Sequence, residues 1–433
     1  DVSAIVLTHN RVKRCIDSVW HNALAMQGVR AEMIVVNNGH EPVELPPTLA
    51  GTPCSVISLK KNIGAAARNI GLEAASGRFI LVLDDDSYID PGLVEAMLDT
   101  FRQDPKIGAV AFRILNGNRE EACLLPTVFH GCACGFRRSA LEEVGAYPDG
   151  YLYYGEEYDL AFRLHQAGHR IVFCTHSKSV RHVRDGGGRS HDRILRMLVR
   201  NNTYLWFAFL PWRHIVSACA DTIHRYARVA RKEDAEKGFR RGLFDIPRSA
   251  IRGLLRRRAM SLDIFRRISL ADRVERAAAQ IVARGGRRVI LCGVGKFPSF
   301  WVRLLRQRGL QVIAFWDHNP CWRDQWISNV PVIVAGAELP YAPSDCSWLV
   351  GTASLAENAG WTERLAWELG LANPDLPQGP PERATTTARG TIDLAEAAGV
   401  TVFYSEKRGE PGPAPNGISP ACTESVREQS PFN

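Results

Sequence analysis

The sequence lacks three features that would each place it in a class of proteins. No apolar run reaches the roughly 20 residues that a helix needs to cross a bilayer, and the aromatic-rich stretch from Tyr204 to Trp212 is interrupted at Pro211. The 11 cysteines are scattered, odd in number and never spaced as C-x-x-C, which argues against a disulfide framework and against a zinc site. The first residues show no secretory signal, so we expect a cytoplasmic protein with reduced thiols.

Acidic residues are scarce in one part of the chain. Residues 193–267 contain 18 Lys and Arg but six Asp and Glu, a net charge of +12, whereas the whole 433-residue chain carries +8. Such an asymmetry concerns partners rather than the fold. The apolar fraction of 45% and the charged fraction of 23% are those of a globular protein, and the length predicts two domains with additions.

Strand and helix patterns alternate over the first 110 residues, which predicts an α/β fold. Ligands of such sheets collect at the carboxyl ends of the strands. Thr8 and Asn10 follow the first predicted strand, Asn37 follows the second, and the triplet Asp84-Asp85-Asp86 follows a later one. We therefore expect one crevice to gather these polar residues.

The triplet Asp84-Asp85-Asp86 follows the apolar run Leu81–Leu83. Three adjacent carboxylates repel one another, and a bound cation removes that repulsion. Hard oxygen ligands suit Mg²⁺ or Mn²⁺, and His182 is a candidate additional ligand. A solvated acidic turn and an ordinary buried or surface histidine are the alternatives.

Two further segments combine polar chemistry with a predicted helix start. Asn62 and Gly64 precede an alanine-rich helix that carries Arg68 in its first turn, an arrangement that suits a diphosphate, although tight packing through the alanines would also explain it. The second helix begins with three carboxylates, Glu156, Glu157 and Asp159. They favour the helix dipole, and one of them could act as a general base for an acceptor hydroxyl.

These segments, in this order and spacing, resemble glycosyltransferase family 2, whose members are inverting enzymes of the GT-A fold. The resemblance covers about residues 2 to 210, and it rests on the motifs Leu7–Arg11, Asn62-x-Gly64 with Ala67–Gly71, Leu83–Asp86, Gly155–Leu160 with Arg163, and His182.

The resemblance implies a metal-dependent, inverting transfer of a hexosyl or deoxyhexosyl unit from a nucleoside-diphosphate sugar, UDP- or TDP-linked, to a hydroxyl. The acceptor would be a glycan or a lipid-linked molecule in surface polysaccharide or glycolipid assembly. Glu157 would take the proton from the acceptor, with Glu156 and Asp159 supporting the pocket. Mn²⁺ or Mg²⁺ would be held by Asp86, Asp84 and His182. The donor nucleotide would contact Thr8, Asn10, Arg11, Asn37, Asn62, Gly64, Arg68, Asp84 and Asp85.

Two positions depart from the family's usual pattern. The family commonly has Asp where Asn37 stands, a residue that contacts the base, so the base preference of this chain is open. It also commonly has Asp where Glu157 stands, which moves the carboxylate by about one methylene, and catalytic geometry tolerates little misplacement.

The sequence predicts four regions: a GT-A domain over 1–192, a basic amphipathic helical region over 193–283, a Rossmann-like domain over 284–371 and a disordered tail over 372–433. The basic region fits an anionic membrane surface, here the inner face of the plasma membrane, or a solvated helical face; no nucleic-acid motif accompanies it. In the third region Gly293 and Gly295 follow a strand and Asp317 stands where a ribose-binding acid would, but Pro298 replaces the third glycine of the fingerprint. We assign no cofactor there.

Two other functions compete with a transferase. A catalytically silent nucleotide- or carbohydrate-binding protein would have kept the fold, although retention of the carboxylates and His182 argues against that. An NAD-dependent enzyme centred on Gly293 and Asp317 is the weaker alternative, because that unit offers no evident catalytic set.

Overall fold

The computed structural model describes residues 1–117, 119–121, 124–125, 127–174, 178–183, 190–317, 319–334, 346–350 and 400–402. Residues 184–189 and nearly all of the predicted disordered tail lie outside the described residues.

The strands are β1 (Val2–Thr8), β2 (Ala31–Asn37), β3 (Thr48–Leu49), β4 (Thr52–Ser58), β5 (Phe79–Asp84), β6 (Ser87–Ile89), β7 (Ile107–Ala111), β8 (Arg113–Asn116), β9 (Arg119–Glu121), β10 (Ala133–Arg137), β11 (Arg170–Phe173), β12 (Ser179–His182), β13 (Arg288–Cys292), β14 (Gln311–Asp317), β15 (Gln325–Ile327), β16 (Val330–Val334), β17 (Ser347–Val350) and β18 (Val400–Val402). The helices are α1 (Val12–Ala25), α2 (Arg68–Ala74), α3 (Leu93–Gln103), α4 (Arg138–Val144), α5 (Glu156–Gln166), α6 (His191–Phe209), α7 (Trp212–Lys232), α8 (Glu236–Phe244), α9 (Ile246–Leu255), α10 (Leu262–Ile268), α11 (Ala271–Ala283) and α12 (Pro298–Gln307).

The first part of the chain is built on an eight-stranded sheet with the order β11-β7-β10-β5-β1-β2-β4-β3. Its centre is parallel, because β1 pairs in the same direction with both β2 and β5, while β10 runs antiparallel between β5 and β7. All seven residues of β1 are buried, as expected for a parallel strand covered on both faces. The predicted α/β class, with a mixed and mainly parallel sheet between helices, is confirmed.

Strand register brings the polar strand ends together. Thr8 is paired with Asn37 at the end of β1 and β2, and Leu7 is paired with Asp84 of β5. Parallel neighbours end at the same edge of a sheet, and this is the edge where α/β proteins bind their ligands.

A small second sheet, with the order β6-β12-β8-β9, carries His182 to the same edge. His182 of β12 is paired with Ser87 of β6, and the backbone N–H of Val183 donates to the carbonyl oxygen of Asp86 at 2.9 Å. The pairing therefore fixes His182 beside the acidic triplet from almost 100 residues further along the chain.

The helices of the basic region pack closely rather than standing free. A Cβ on Gly253 of α9 would lie 2.7 Å from the carbonyl oxygen of Tyr204 in α6, and one on Gly242 of α8 would lie 2.8 Å from Val199. Glycine at these positions allows the helix backbones to approach α6. No helix in the described part of the chain is both long and apolar enough to cross a bilayer.

The third sheet has the order β15-β16-β14-β13-β17-β18, with parallel pairing along its centre. The turn at residues 293–295, which follows β13, is held by contacts within the protein. Asp317 accepts the backbone N–H of Val294 at 2.8 Å, and Arg225 of α7 donates to the carbonyl oxygens of Val294 and Gly295. Asp317 therefore stabilises the turn that follows β13. Residues 400–402 form a strand beside β17, and the disorder predicted for most of the tail stays a prediction.

Candidate active site

A candidate metal centre lies where β5 and β12 end. Asp84, Asp86 and His182 each offer one ligand atom, and these atoms lie within 4.8 Å of one another. Nε2 of His182 is 3.3 Å from Oδ1 of Asp86, and this buried oxygen has no hydrogen-bond partner among the described residues. Two carboxylates and an imidazole are a donor set that suits Mn²⁺ or Mg²⁺, so the residues present fit such an ion.

Asp86 lies between two basic side chains, those of Arg11 and His182. Nη1 of Arg11 is 2.7 Å from Oδ2 of Asp86. Burial would raise the pKa of Asp86, but the neighbouring His182 and Arg11 hold that pKa well below its usual range. Burial lowers the pKa of His182, whereas Cys132, Asp86 and Glu121 together raise it well above the usual value. The site therefore keeps Asp86 ionised.

Asp85 is not a member of the candidate metal cluster of Asp84, Asp86 and His182. It is fully buried, accepts the Thr8 hydroxyl at 2.7 Å and is paired with Arg11. Burial raises the pKa of Asp85 to about 7 against the opposing charge of Arg11. The structure therefore places Thr8, Arg11 and Asp85 in contact with one another; a direct contact of these three with a nucleotide stays a prediction.

Arg68 connects the metal centre to the helix of carboxylates. It is 3% exposed, lies 2.7 Å from Oδ1 of Asp84 and 3.6 Å from Oε1 of Glu156, and its guanidinium covers the Tyr147 ring. Nε and Nη1 of Arg68 have no hydrogen-bond partner among the described residues. One guanidinium thus joins the two groups of acids and keeps buried donors that an anion could satisfy.

The three carboxylates of α5 have different surroundings. Burial, with the charge of Glu157 adding to it, raises the pKa of Glu156 to about 8. Glu157 is half-buried and accepts the backbone N–H of Gly155 at 3.0 Å. Asp159 is buried, accepts the hydroxyl of Tyr151 at 2.8 Å and lies 2.7 Å from Nε of Arg163, contacts that hold the preceding loop against the helix.

The remaining predicted donor-binding residues stabilise the loops at the strand ends. Oδ1 of Asn10 accepts the backbone N–H of His40 at 2.8 Å. Asn37 donates to the carbonyl oxygen of Glu41 at 2.7 Å. Oδ1 of Asn62 accepts the backbone N–H of Gly64 at 2.8 Å. These side chains border the crevice, and their contacts to a nucleotide stay predictions.

Replacing Gly64 with alanine should destabilise the protein more than the same change at Gly51. Both glycines have left-handed φ values, +71° and +84°, but a Cβ on Gly64 would lie 2.2 Å from the carbonyl oxygen of Leu152, whereas one on Gly51 meets nothing within 4 Å. Gly51→Ala should cost about 1–2 kcal/mol of unfolding free energy for the left-handed backbone alone, and Gly64→Ala about 2 kcal/mol more. Urea unfolding of both variants measures the difference; equal losses would show that the contact with Leu152 is unimportant.

Sequence reasoning missed Glu121, which is buried at the end of β9. Its Oε2 lies 2.9 Å from Nδ1 of His182 and 3.9 Å from Nε2 of His130. A carboxylate on the second ring nitrogen orients a metal-binding histidine and fixes its tautomer. No sequence signal could have found it, because the contact depends on how β12, β8 and β9 pair.

Removing the charge of Glu121 is expected to weaken metal binding. Glu121→Gln should lower the affinity for Mn²⁺ by about 10–100-fold, the usual effect of losing a carboxylate behind a metal-bound histidine. Calorimetric titration of Mn²⁺ measures this, with Glu142→Gln as the control, since Glu142 is exposed on α4 and paired with Arg138. Equal affinity in both variants would contradict a role for Glu121 behind the metal.

Comparisons with known proteins bear on the first part of the chain. Residues 3–126 match the family model described as "Glycosyl transferase family 2". A relative described as an uncharacterized glycosyltransferase, YwdF of Bacillus subtilis (strain 168), is 33% identical over 129 residues, which is 27% of this chain and 46% of the relative. The poly-beta-1,6-N-acetyl-D-glucosamine synthase of Staphylococcus aureus (strain COL) is 27% identical over 184 residues, 36% of this chain and 44% of the synthase. The chain thus spans less than half the length of these curated relatives.

Two solved structures are distantly similar. TarS 1-349 of S. aureus in complex with UDP-GlcNAc shares 17% identity with a TM-score of 0.43, over 58% of this chain and 81% of that one. The mannosyltransferase PcManGT of Pyrobaculum calidifontis, in complex with GDP-Man and Mn2+, shares 16% identity with a TM-score of 0.37, over 71% of this chain and 86% of that one. The likeness to glycosyltransferase family 2 rests on the sequence match over residues 3–126.

Proposed function

We propose that the protein is a metal-dependent, inverting glycosyltransferase that moves a sugar from a nucleoside-diphosphate donor to a hydroxyl. The observation that carries this proposal is the cluster Asp84, Asp86 and His182, joined through the buried Arg68 to the carboxylates of α5. Such a reaction requires a metal ion that binds the diphosphate of the donor and a carboxylate that takes the proton of the acceptor.

The donor would lie along the sheet edge. Asp84, Asp86 and His182 would hold Mn²⁺ or Mg²⁺, which when bound supplies positive charge that stabilises a departing nucleoside diphosphate. Arg68 has unpaired buried donors that suit a phosphate oxygen. UDP- and TDP-sugars are the donors we expect first, with Asn37 standing where the base would lie.

The acceptor would approach the start of α5. Glu157 is half-buried and bound to one backbone N–H, so it is the member of the three carboxylates that is open to a hydroxyl. It would take the proton of that hydroxyl as the oxygen attacks the anomeric carbon, in a single displacement that inverts the configuration. Asp159, bound to Tyr151 and Arg163, would hold the surrounding loop.

The product class and the location rest on one relative and on the basic helical region. The similarity to a poly-beta-1,6-N-acetyl-D-glucosamine synthase favours surface polysaccharide or glycolipid assembly. The basic helical region favours a peripheral position at the inner face of the plasma membrane, in contact with anionic lipids.

Calorimetric titration of UDP, TDP and GDP, with Mn²⁺ and then with EDTA, tests the donor site. We expect one of the three nucleotides to bind with Mn²⁺ and to lose most of its affinity in EDTA. Absence of binding for all three in a folded protein would contradict the proposal and favour a silent member of the family.

A further inference from the structure

A second group of basic side chains lies in a cavity outside the metal centre. The cavity has a volume of about 370 Å³ and opens between α6, α9 and the segment 150–151. Its lining includes four arginines and one acid, Arg196, Arg200, Arg248, Arg252 and Asp245. The lining therefore carries an excess of positive charge that a bound anion would balance.

Contacts within the protein satisfy part of this charge. Asp245 is paired with Arg196 through two bonds of 2.7 and 3.2 Å, and Arg200 donates to the carbonyl oxygen of Tyr151 at 2.7 Å. Arg252 has long contacts of 3.3 and 3.4 Å to backbone carbonyl oxygens. The side chain of Arg248 makes no hydrogen bond or ion pair with another residue in the described part of the chain. The Arg252 guanidinium also lies over the Tyr204 ring, so Arg248 is the arginine of this cavity most available to an anion.

The surroundings of Arg200 also indicate that the cavity suits an anion. Burial, and the like charges of Arg252 and Arg196, lower the pKa of Arg200 while Asp245 opposes them. Like charges held together in a partly buried site favour an anion between them, and arginine binds phosphate oxygens through two parallel bonds.

An exposed apolar stripe runs beside the cavity. Phe244 at the end of α8 is 85% exposed, and Ile251 and Leu255 of α9 are 58% and 82% exposed. On a helix, residues three and four apart are neighbours, so Ile251 and Leu255 lie next to Arg248 and Arg252. A phosphate group and a hydrocarbon chain on the same molecule would fit the cavity and the stripe together.

We propose that this cavity binds the phosphoryl group of a lipid-borne phosphate or diphosphate, whose hydrocarbon chain lies on the stripe of Phe244, Ile251 and Leu255. The proposal deepens the transferase function and rests on it, since it identifies the acceptor as a phosphorylated lipid that also carries the accepting hydroxyl. Arg200 holds the carbonyl oxygen of Tyr151, and the Tyr151 hydroxyl holds Asp159. The bound headgroup would therefore lie against the loop that leads to Glu157.

Calorimetry with the full chain tests this with three probes: dodecyl phosphate below its micelle concentration, inorganic pyrophosphate, and dodecyl maltoside. We expect dodecyl phosphate to bind, pyrophosphate to bind more weakly and dodecyl maltoside not to bind. Arg248→Gln should lower the affinity for dodecyl phosphate by about tenfold or more, as expected for the loss of a charge-assisted hydrogen bond. The control Arg256→Gln should change it by less than about twofold, since Arg256 is exposed at the end of the same helix and does not line the cavity.

Each outcome decides between the possible sources of the phosphate. Equal affinity for pyrophosphate and dodecyl phosphate would overturn the lipid-borne part and leave a site for a free anion. No binding, or equal losses in Arg248→Gln and Arg256→Gln, would overturn the site itself. Binding of the donor nucleotide with Mn²⁺ is measured separately in the same variants and should be unchanged, so failure of the proposed transferase is distinguished from failure of this cavity.

Discussion

Asp86→Ala should abolish metal-dependent binding of the donor nucleotide. Asp86 supplies a buried oxygen without a hydrogen-bond partner, 3.3 Å from the imidazole that completes the cluster. Carboxylates behind a metal ligand already account for about 10–100-fold in affinity, so removing a direct ligand should cost more than about 100-fold. Calorimetric titration of the nucleotide with Mn²⁺ measures the loss.

A second substitution separates ligand loss from misfolding. Asp86→Ala removes one of the two carboxylates that pair with Arg11 and one of the two that pair with His182, and breaking a buried pair can destabilise a protein by about 3–5 kcal/mol. Asp86→Asn keeps the volume and one carbonyl oxygen, and should still lose most of the Mn²⁺ affinity. Asp99→Asn, which changes an exposed carboxylate of α3 paired with Arg102, should behave as the unmodified protein. Normal Mn²⁺-dependent binding in a folded Asp86→Asn variant would remove Asp86 from the metal centre.

The sheet and its polar edge could be predicted from the sequence because their signals are local. Buried parallel strands appear as continuous apolar runs, and β1, β2 and β5 each end in polar residues that the register places at one edge. The sequence also predicts that Asp85 faces away from Asp84 and Asp86. Side chains near a strand alternate between its two sides, so the first and third carboxylates are expected to face the same way.

Other parts of the site depend on contacts between distant segments, and no local pattern reports those. The structure places Arg11 on Asp85 and Asp86, contacts that no local pattern predicts, and the contact of Arg11 with a nucleotide stays a prediction. The pairing of Glu121 with His182 requires the second sheet to form. In the third sheet, Arg225 reaches the glycine turn from a helix some 70 residues away.

Glu157→Gln should leave donor binding intact and remove sugar transfer. A general base typically contributes about 10²–10⁴-fold to a rate, and an amide of the same size cannot accept the acceptor's proton. The Gln side chain can still accept the backbone N–H of Gly155 that Glu157 accepts at 3.0 Å, so the start of α5 should keep its structure. Turnover with a suitable acceptor, and calorimetric donor affinity, are measured on the same preparation.

The neighbouring acids provide the matched comparison, because each one has different surroundings. Glu156→Gln removes a buried carboxyl whose pKa is raised to about 8. Because this carboxyl contacts Arg68, its loss should lower both the transfer rate and the affinity for the donor nucleotide. Asp159→Asn removes a charge held between Tyr151 and Arg163. This variant should unfold at a lower denaturant concentration, whereas the folded protein should transfer sugar at nearly the normal rate. Transfer at the normal rate by Glu157→Gln, with loss of transfer and unchanged donor affinity in Glu156→Gln, would reassign the base to Glu156. The ionised form of Glu156, a stronger base because its pKa is raised, would then take the proton, and Glu157 would serve to cap the helix.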